Sequence, residues 1–147
     1  MISKPLICIV DDQPDFRFLL QQVVYRYLPA YPVNFSDSGY ALLDELNDLS
    51  SKPSLILLDR HMPHLDGHQT LLSLKGSSAF KRIPVVMMSA GASAMEINGC
   101  YEAGANSFLE KKLDFQDLKA MIEGICQYWL ELNQKPVEVV KTDSFVF

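Results

Sequence analysis

The sequence predicts an α/β fold in which a five-stranded parallel sheet, with strand order 2-1-3-4-5, is doubly wound and covered on both faces by five helices. Two observations predict it. Apolar runs of strand length alternate with amphipathic stretches of helical spacing, and two of the runs end in acidic residues. Asp11 and Asp12 follow residues 6–10, and Asp59 follows residues 55–58. Because neighbouring parallel strands end at the same edge of a sheet, we expect these three carboxylates to converge.

The first half of the chain supplies two strand–helix units and a third strand. Pro14 suits the first position of a helix, and apolar residues recur with helical spacing until Pro29. A short extended segment at residues 33–35 leads to a helix at about residues 40–49. A break at Pro53 then precedes the apolar strand that ends at Asp59.

The second half continues the alternation. A loop at residues 61–67 precedes a helix that runs to about Lys75, and a strand is predicted at residues 83–88, where Pro84 is tolerable only at the start. A helix at residues 93–103 contains Gly99, which costs about 1 kcal/mol relative to alanine and should leave this helix weakly held. A strand at residues 107–109 precedes a last helix capped by Asp114.

Composition favours one domain, assigned to residues 1–133, with a tail at residues 134–147 that is expected to dock on it. The 147 residues are 48% apolar, and the net charge is −5 with no basic block longer than two residues, which disfavours a nucleic-acid partner. No secretion signal and no membrane-spanning apolar run is seen, so a cytoplasmic location is expected. The three cysteines, Cys8, Cys100 and Cys126, are predicted to be buried free thiols.

A convergence of Asp11, Asp12 and Asp59 would require a cation. Two carboxylates about 4 Å apart repel by about 4 kcal/mol at an effective dielectric constant near 20, and a hard divalent ion that prefers oxygen ligands removes that cost. Taken singly, each aspartate has simpler interpretations. Any of them can be a polar strand end, and Asp11 or Asp12 can cap the first helix.

Further motifs lie at corresponding places: Met62-Pro63 and Asp66-Gly67 after the third strand, Ser89 after the fourth and Lys111 after the fifth. With the three aspartates, they make residues 5–132 resemble the receiver domain of two-component response regulators. The resemblance implies a flavodoxin-like fold and a phosphoryl acceptor at Asp59. A sensor histidine kinase or phosphotransfer protein would supply the phosphoryl group. The resemblance further implies Mg²⁺ held by Asp12, Asp59, the backbone carbonyl of His61 and, through water, Asp11.

In this family the lysine corresponding to Lys111 is the fixed cation of the site, and Ser89 would bind a phosphoryl oxygen of the modified domain. Phe108 matches an aromatic residue that turns inward on phosphorylation and alters the surface of the fourth helix, fifth strand and fifth helix. It can equally be a core strand residue. The chain would then be a signalling switch that carries out only its own phosphorylation and dephosphorylation.

Three residues depart from the family pattern or modulate it. Lys112 replaces a proline that often follows a cis bond, so a trans bond and some displacement of Lys111 are expected. Arg60 is bulkier than usual and should contact an acidic group or the kinase. His61 is predicted to tune the lifetime of the phosphate, whereas a metal site made of His61, His64 and His68 is disfavoured because Pro63 and Gly67 interrupt the segment.

These departures keep a second interpretation open, a pseudo-receiver that docks partners without phosphorylation. A flavodoxin-type cofactor carrier is disfavoured because no Gly- or Ser/Thr-rich phosphate loop follows the first strand.

The last helix bears an apolar stripe broader than one buried face needs: Leu118, Met121, Ile122, Ile125, Tyr128, Trp129 and Leu132. Either a homodimer or a downstream protein target covers it, or it belongs to the core and to an edge that the tail covers. Too few residues follow for an output domain, and a stand-alone receiver is expected. The segments at residues 81–86 and 128–130 are similar to small receivers that serve phytochrome kinases.

Overall fold

The computed structural model describes residues 5–48, 50 and 52–137. Five strands alternate with five α-helices in the predicted order. They are β1 (Ile7–Val10), α1 (Pro14–Tyr27), β2 (Val33–Ser36), α2 (Gly39–Asp48), β3 (Leu55–Asp59), α3 (Gly67–Lys75), β4 (Val85–Ser89), α4 (Ala94–Glu102), β5 (Ser107–Glu110) and α5 (Phe115–Cys126).

The five strands form one parallel sheet in the order β2-β1-β3-β4-β5, which confirms the predicted topology. The register places the last residue of β3, Asp59, beside Met88 of β4, and the last residue of β4, Ser89, beside Glu110 of β5. The ends of β1, β3, β4 and β5 therefore lie side by side at one edge of the sheet, and the residues that follow them share that edge.

Two apolar clusters cover the two faces of the sheet. Alternating residues of β1 and β3 pack with α1 and α5 on one face, as Ile9 and Leu57 do with Leu20 and Ile122. The other residues of the same strands pack with α2, α3 and α4, as Ile56 and Leu58 do with Leu42 and Leu71. Both faces of the central strands are buried, which is why their sequences are continuous apolar runs without a polar alternation.

Local chemistry sets the ends of the elements, and several differ from prediction by one or two residues. β4 begins at Val85 and not at Ile83, because Pro84 has no N–H to donate to the sheet. The predicted cap of α5 is present, since the side chain of Asp114 accepts from the N–H of Asp117. Helix α4 begins at Ala94 because Ser93 and Glu96 form a capping box, a support that the sequence interpretation based on Gly99 did not include.

The last helix does not end as an α-helix. After Cys126 it continues as a π-helix, Gln127–Leu132, which the helical spacing alone did not predict. Most of the predicted apolar stripe belongs to the core. Leu118, Ile122 and Ile125 are buried, and Met121 and Trp129 pack against the same cluster, whereas Tyr128 and Leu132 are exposed.

The three cysteines are free and buried, as predicted. Burial is the main cause that raises the pKa of the Cys8 and Cys126 thiols to about 12, so both are inert at neutral pH. Most of the predicted tail, residues 138–147, lies outside the described residues. Among the helices that are described, none combines the length and the apolar character that crossing a bilayer requires.

Candidate phosphoacceptor and metal site

The three aspartates meet at the carboxyl edge of the sheet, as their positions after β1 and at the end of β3 predict. One oxygen each of Asp11, Asp12 and Asp59 lies within 4.8 Å of the others. Asp11 and Asp59 are buried at 0% and 2% exposure, and Asp12 is half-buried. Three carboxylates this close in a site largely shielded from water repel one another strongly unless cations neutralise them.

Several of these carboxylate oxygens have no hydrogen-bond partner. Oδ1 of Asp12 and Oδ2 of Asp59 are buried and accept no hydrogen bond from any described residue. Oδ2 of Asp11 is held only by an ion pair, without an aligned hydrogen bond. Buried acceptors without partners are costly and rare in folded proteins, so oxygens grouped in this way are suited to a bound cation.

Lys111 supplies the fixed cation of the cluster. Its Nζ lies 2.8 Å from Oδ2 of Asp11 and 3.3 Å from Oδ1 of Asp59, and its side chain is only 3% exposed. The same ammonium donates to Oε1 of Gln13 at 3.3 Å and lies 4.7 Å from the centre of the Phe16 ring, within cation–π distance. The expected trans bond to Lys112 is present, since no described peptide bond is cis, and Lys111 reaches both Asp11 and Asp59 with that bond in the trans form.

The surroundings of Asp59 disfavour its charged form. Burial and, secondly, the charge of Asp11 raise its pKa to about 6, against the lowering effects of Lys111 and of the His61 N–H. That N–H donates to Oδ1 of Asp59 at 3.3 Å. The negative charge of Asp59 is therefore unfavourable in this site, and a bound divalent cation would neutralise it.

The donor set fits a hard divalent ion. Three carboxylates offer only oxygen ligands, which Mg²⁺ and similar ions prefer, and no histidine or cysteine joins the cluster among the described residues. His61, His64 and His68 are not part of this group of candidate ligands in the described part of the chain.

His61 links two elements at the rim of the site. Its Nε2 lies 2.6 Å from Oε2 of Glu96, and its Nδ1 lies 3.2 Å from Oγ of Ser89. A neutral imidazole that donates from Nε2 to the carboxylate can accept the Ser89 hydroxyl at Nδ1. The N–H of Gly91 also donates to Oγ of Ser89, at 3.1 Å, so this hydroxyl is already positioned beside the acceptor edge.

Arg60 contacts acidic groups, which is one of the two predicted alternatives; the other was a contact with the kinase. Its guanidinium lies 3.3 Å from Oδ2 of Asp66 and 3.7 Å from Oε2 of Glu96, and the side chain is 14% exposed. Lys112 lies outside the cluster, exposed and 3.7 Å from Oε2 of Glu110. Of the two adjacent lysines, only Lys111 reaches the aspartates.

Phe108 is half-buried and packs against the apolar cluster under α2, α3 and α4. Its backbone N–H donates to the hydroxyl of Tyr101 on α4, at 3.1 Å. The fifth strand and the fourth helix are thus connected at the position that was predicted to switch.

Sequence reasoning missed Gln13, Phe16 and Glu96. Gln13 follows the acidic pair directly, and Phe16 is one of the apolar residues whose helical spacing predicts α1. Glu96 stands three residues after Ser93, which is the spacing of a capping box, but nothing in the sequence brings it near His61. A long-range contact of this kind becomes visible only in the folded chain.

The fold and this edge together define a receiver domain, and the chain belongs to the response regulator receiver family. The sequence profile of the response regulator receiver domain matches residues 7–123. The resemblance on which the sequence interpretation depended is therefore confirmed.

Among its relatives, the response regulator Rcp1 of Synechocystis sp. is 31% identical over 138 residues, which cover 90% of this chain and 93% of Rcp1. A probable methanogenesis regulatory protein, FilR2 of Methanothrix harundinacea, is 33% identical over 135 residues, covering 89% of this chain and 87% of FilR2. The similar solved structures include the phosphorylated cyanobacterial phytochrome response regulator RcpA, with a TM-score of 0.84, 26% identity and coverage of 92% and 100%. The Mn²⁺-bound form of Rcp1 has a TM-score of 0.80, 30% identity and coverage of 90% and 99%.

Proposed function

We propose that this chain is a phosphorylatable receiver. Asp59 accepts a phosphoryl group from the phosphohistidine of a sensor histidine kinase or phosphotransfer protein, and the modified domain acts on a downstream protein target. The observation that carries the proposal is the unpartnered Oδ2 of Asp59, buried among two further carboxylates and held beside the ammonium of Lys111.

The chemistry required of Asp59 is a nucleophilic displacement at phosphorus. A carboxylate oxygen of Asp59 forms a bond to phosphorus while the phosphorus–nitrogen bond of phosphohistidine breaks, and the imidazole leaves with the electron pair and is protonated by solvent. Lys111 is placed to neutralise a phosphoryl oxygen, since its Nζ already contacts Oδ1 of the acceptor at 3.3 Å. Asp12, Asp59 and the backbone carbonyl of His61 would hold Mg²⁺ directly, and Asp11 through water. The ion would neutralise the remaining charge on the transferred group.

Ser89 is the candidate sensor of the phosphoryl group. Its hydroxyl lies between His61 and the Gly91 N–H at the end of β4, directly beside β3 and its terminal Asp59. A phosphoryl oxygen that accepted this hydroxyl would compete with His61 for it. The loss of that contact would alter the position of His61 and hence its hydrogen bond to Glu96 at the start of α4, because His61 bridges Ser89 and Glu96.

The proposed output surface consists of α4, β5 and α5. Phe108 and Tyr101 connect the strand to the fourth helix, and Met95, Tyr101 and Leu113 are apolar residues exposed there at 85%, 47% and 74%. Phosphorylation would shift the equilibrium between two arrangements of this surface, with Phe108 more deeply buried in one of them. A downstream target or a second copy of the chain is the proposed occupant.

The similarity to the cyanobacterial phytochrome response regulator RcpA favours a phytochrome-type sensor histidine kinase as the phosphoryl donor. The second candidate function, a pseudo-receiver, has one observation in its favour. Lys112 and Arg60 depart from the family pattern, and Arg60, the residue after the proposed acceptor, is engaged in ion pairs with Asp66 and Glu96.

Intact-mass spectrometry after incubation with acetyl phosphate and Mg²⁺ separates the two functions. We expect a single phosphoryl adduct on the wild type, none on Asp59→Asn, and none when EDTA replaces Mg²⁺. Asp66→Asn is the matched control, since Asp66 is a nearby carboxylate outside the cluster, and it should still be modified. An unmodified wild type under these conditions would contradict the phosphorylatable receiver and favour the pseudo-receiver.

A further inference from the structure

A second concave site lies at the opposite end of the sheet from the aspartates. It is a cavity of about 630 Å³ between the start of β3, the loop before β4 and the residues that follow the π-helix. Its volume is in the range of small-molecule sites, which is about 300–1,000 Å³. Because the acidic cluster is at the carboxyl edge, this cavity is chemically independent of the receiver site.

The cavity is lined by positive charge in a protein that is negative overall. Lys52, Lys81, Arg82 and Lys135 contribute to it, four of the thirteen lysines and arginines of a chain whose net charge is −5. No described lining residue is acidic. None of the four forms an ion pair with a carboxylate of the described residues, whereas Arg60, Lys111, Lys112 and Lys119 all do.

The loop that carries two of these cations is fixed. Nζ of Lys75, whose pKa is lowered by burial, donates to the backbone carbonyls of Lys81 and Ile83 at 3.1 and 2.9 Å. It also donates to Oδ1 of Asn106, which accepts from the N–H of Val85. The backbone that presents Lys81 and Arg82 is therefore held before any ligand arrives, which reduces the entropy lost on binding.

The π-helix adds an aromatic wall. Trp129 lies in it, lines the cavity, and is half-buried against the core cluster of α1 and α5. Its ring is held edge-on by Tyr128, with centroids 4.9 Å apart. Wide helical turns of this type are rare, and many of those known lie at functional sites. Here the turn contains the chain's single tryptophan, which lines the same cavity as the four cations.

We propose that this cavity binds a nucleoside polyphosphate. The phosphate groups would be held by Lys52, Lys81, Arg82 and Lys135, since four cations that have no carboxylate partner among the described residues match a compact polyanion. The base would stack on or pack against Trp129, because an indole offers a large apolar face to a planar ring. Neither an inorganic anion nor an uncharged nucleoside would use both halves of the cavity.

Tryptophan fluorescence tests the proposal directly, because Trp129 is the only tryptophan of the chain. The full-length protein is titrated with ATP and GTP in EDTA, which keeps divalent ions out of the acidic cluster. We expect saturable quenching by at least one nucleotide below millimolar concentration. Pyrophosphate and adenosine should each bind about tenfold more weakly than that nucleotide or worse.

Two variants assign the binding to this cavity. The double substitution Lys81→Ala with Arg82→Ala should weaken nucleotide binding at least about tenfold, since it removes two charge-assisted contacts. Arg26→Ala, an exposed arginine of α1 that does not line the cavity, is the matched control and should bind as the wild type does. Trp129→Leu, followed by calorimetry with its fold checked by thermal unfolding, should also bind more weakly.

Asp59→Asn should bind the nucleotide as the wild type does, so failure of phosphorylation at Asp59 and failure of this proposal are separate results. No saturable response to ATP or GTP at millimolar concentration would overturn the proposal. Equal affinity in the Lys81/Arg82 double variant, or pyrophosphate binding as tightly as the nucleotide, would overturn it too.

Discussion

Nζ of Lys111 lies closer to Oδ2 of Asp11, at 2.8 Å, than to Oδ1 of Asp59, at 3.3 Å. The ammonium is therefore shared between a proposed metal ligand and the proposed phosphoacceptor. It reduces the repulsion between the two carboxylates, and in doing so it competes with a divalent cation for the same oxygens. The competition separates two roles of the lysine that can be measured independently.

Lys111→Met should bind Mg²⁺ several-fold more tightly than the wild type and yet be phosphorylated by acetyl phosphate at least about tenfold more slowly. Affinity rises because a positive charge beside the metal site is lost. The rate falls because no ammonium remains to neutralise the phosphoryl oxygens. Isothermal titration with Mg²⁺ and intact mass over time give the two quantities.

Lys112→Met is the matched control for that experiment. It makes the same change in charge one residue further on, but its ammonium is exposed and lies near Glu110, outside the cluster. We expect nearly unchanged Mg²⁺ affinity and phosphorylation rate. If both variants behaved alike, the effect of Lys111 would be one of net charge and not of position.

The buried carboxylate of Asp59 should make stability depend on pH when no divalent ion is present. Its pKa in the folded protein, about 6, is above its ordinary value of 3.8, so the folded state binds the proton more tightly than the unfolded state. The stability that comes from neutral Asp59 is complete below pH 3.8 and is lost as pH rises through 6. Asp59→Asn removes this loss, because an amide stays neutral.

We therefore expect Asp59→Asn in EDTA to exceed the wild type in free energy of unfolding by about 2 kcal/mol at pH 7.5, with a smaller difference at pH 5. Urea unfolding at the two pH values measures it. Saturating Mg²⁺ at pH 7.5 should reduce or reverse the difference, since the wild type binds the cation more tightly than Asp59→Asn does and is stabilised more by it. A difference that grew towards pH 5 would contradict the assigned cause.

The contact between His61 and Glu96 should influence how long an aspartyl phosphate lasts. His61 is held at the rim of the site by Glu96 and by Ser89, at 2.6 and 3.2 Å. His61→Ala would open that rim to water, and Glu96→Gln would remove the charged partner that fixes the ring. We expect faster loss of phosphate in both variants, with the larger effect in His61→Ala.

Phosphate loss is followed by intact mass after removal of acetyl phosphate. Glu102→Gln is the control, since it removes one carboxylate from the other end of α4, away from His61. Glu96 also contributes to the capping box, and the N–H of Ser93 and the hydrogen bond from His61 lower its pKa to about 2. Unfolding measurements on Glu96→Gln therefore accompany the rates, and unaltered lifetimes in His61→Ala would refute the role assigned to the histidine.

The order of the strands and the meeting of Asp11, Asp12 and Asp59 could be predicted from sequence because each depends on local patterns. Continuous apolar runs indicate strands buried on both faces, and residues at the ends of parallel strands must share an edge. The topology of the chain then brings the three aspartates together, and no side-chain contact has to be known to predict this.

The residues that sequence reasoning missed depend on contacts between distant segments. Glu96 meets His61 across 35 positions, and the cations of the second cavity come from separate segments around Lys52, Arg82 and Lys135. The π-helix was missed for another reason. Apolar spacing in residues 127–132 fits an ordinary helix, and nothing in that spacing distinguishes the wider turn.

Gly67 should tolerate no side chain, because α3 begins in contact with the end of β3. A Cβ at this position would lie 2.1 Å from the backbone oxygen of Asp59 and 2.7 Å from Cα of Arg60, and backbone atoms cannot move aside as a side chain can. Gly67→Ala should lower the free energy of unfolding by about 2 kcal/mol or more and slow phosphorylation, since the acceptor strand must shift.

Gly99→Ala is the matched substitution in the next helix. A Cβ there meets no atom within 4 Å, and the position is inside α4, where alanine is favoured over glycine by up to about 1 kcal/mol. We expect this variant to be more stable than the wild type in urea unfolding and still to be phosphorylated by acetyl phosphate. The two variants add the same methyl group. If one lowers and the other raises the free energy of unfolding, the loss in Gly67→Ala is due to the contact of its methyl group with Asp59. A Gly67→Ala protein as stable as the wild type would show that α3 can move away from β3 without cost.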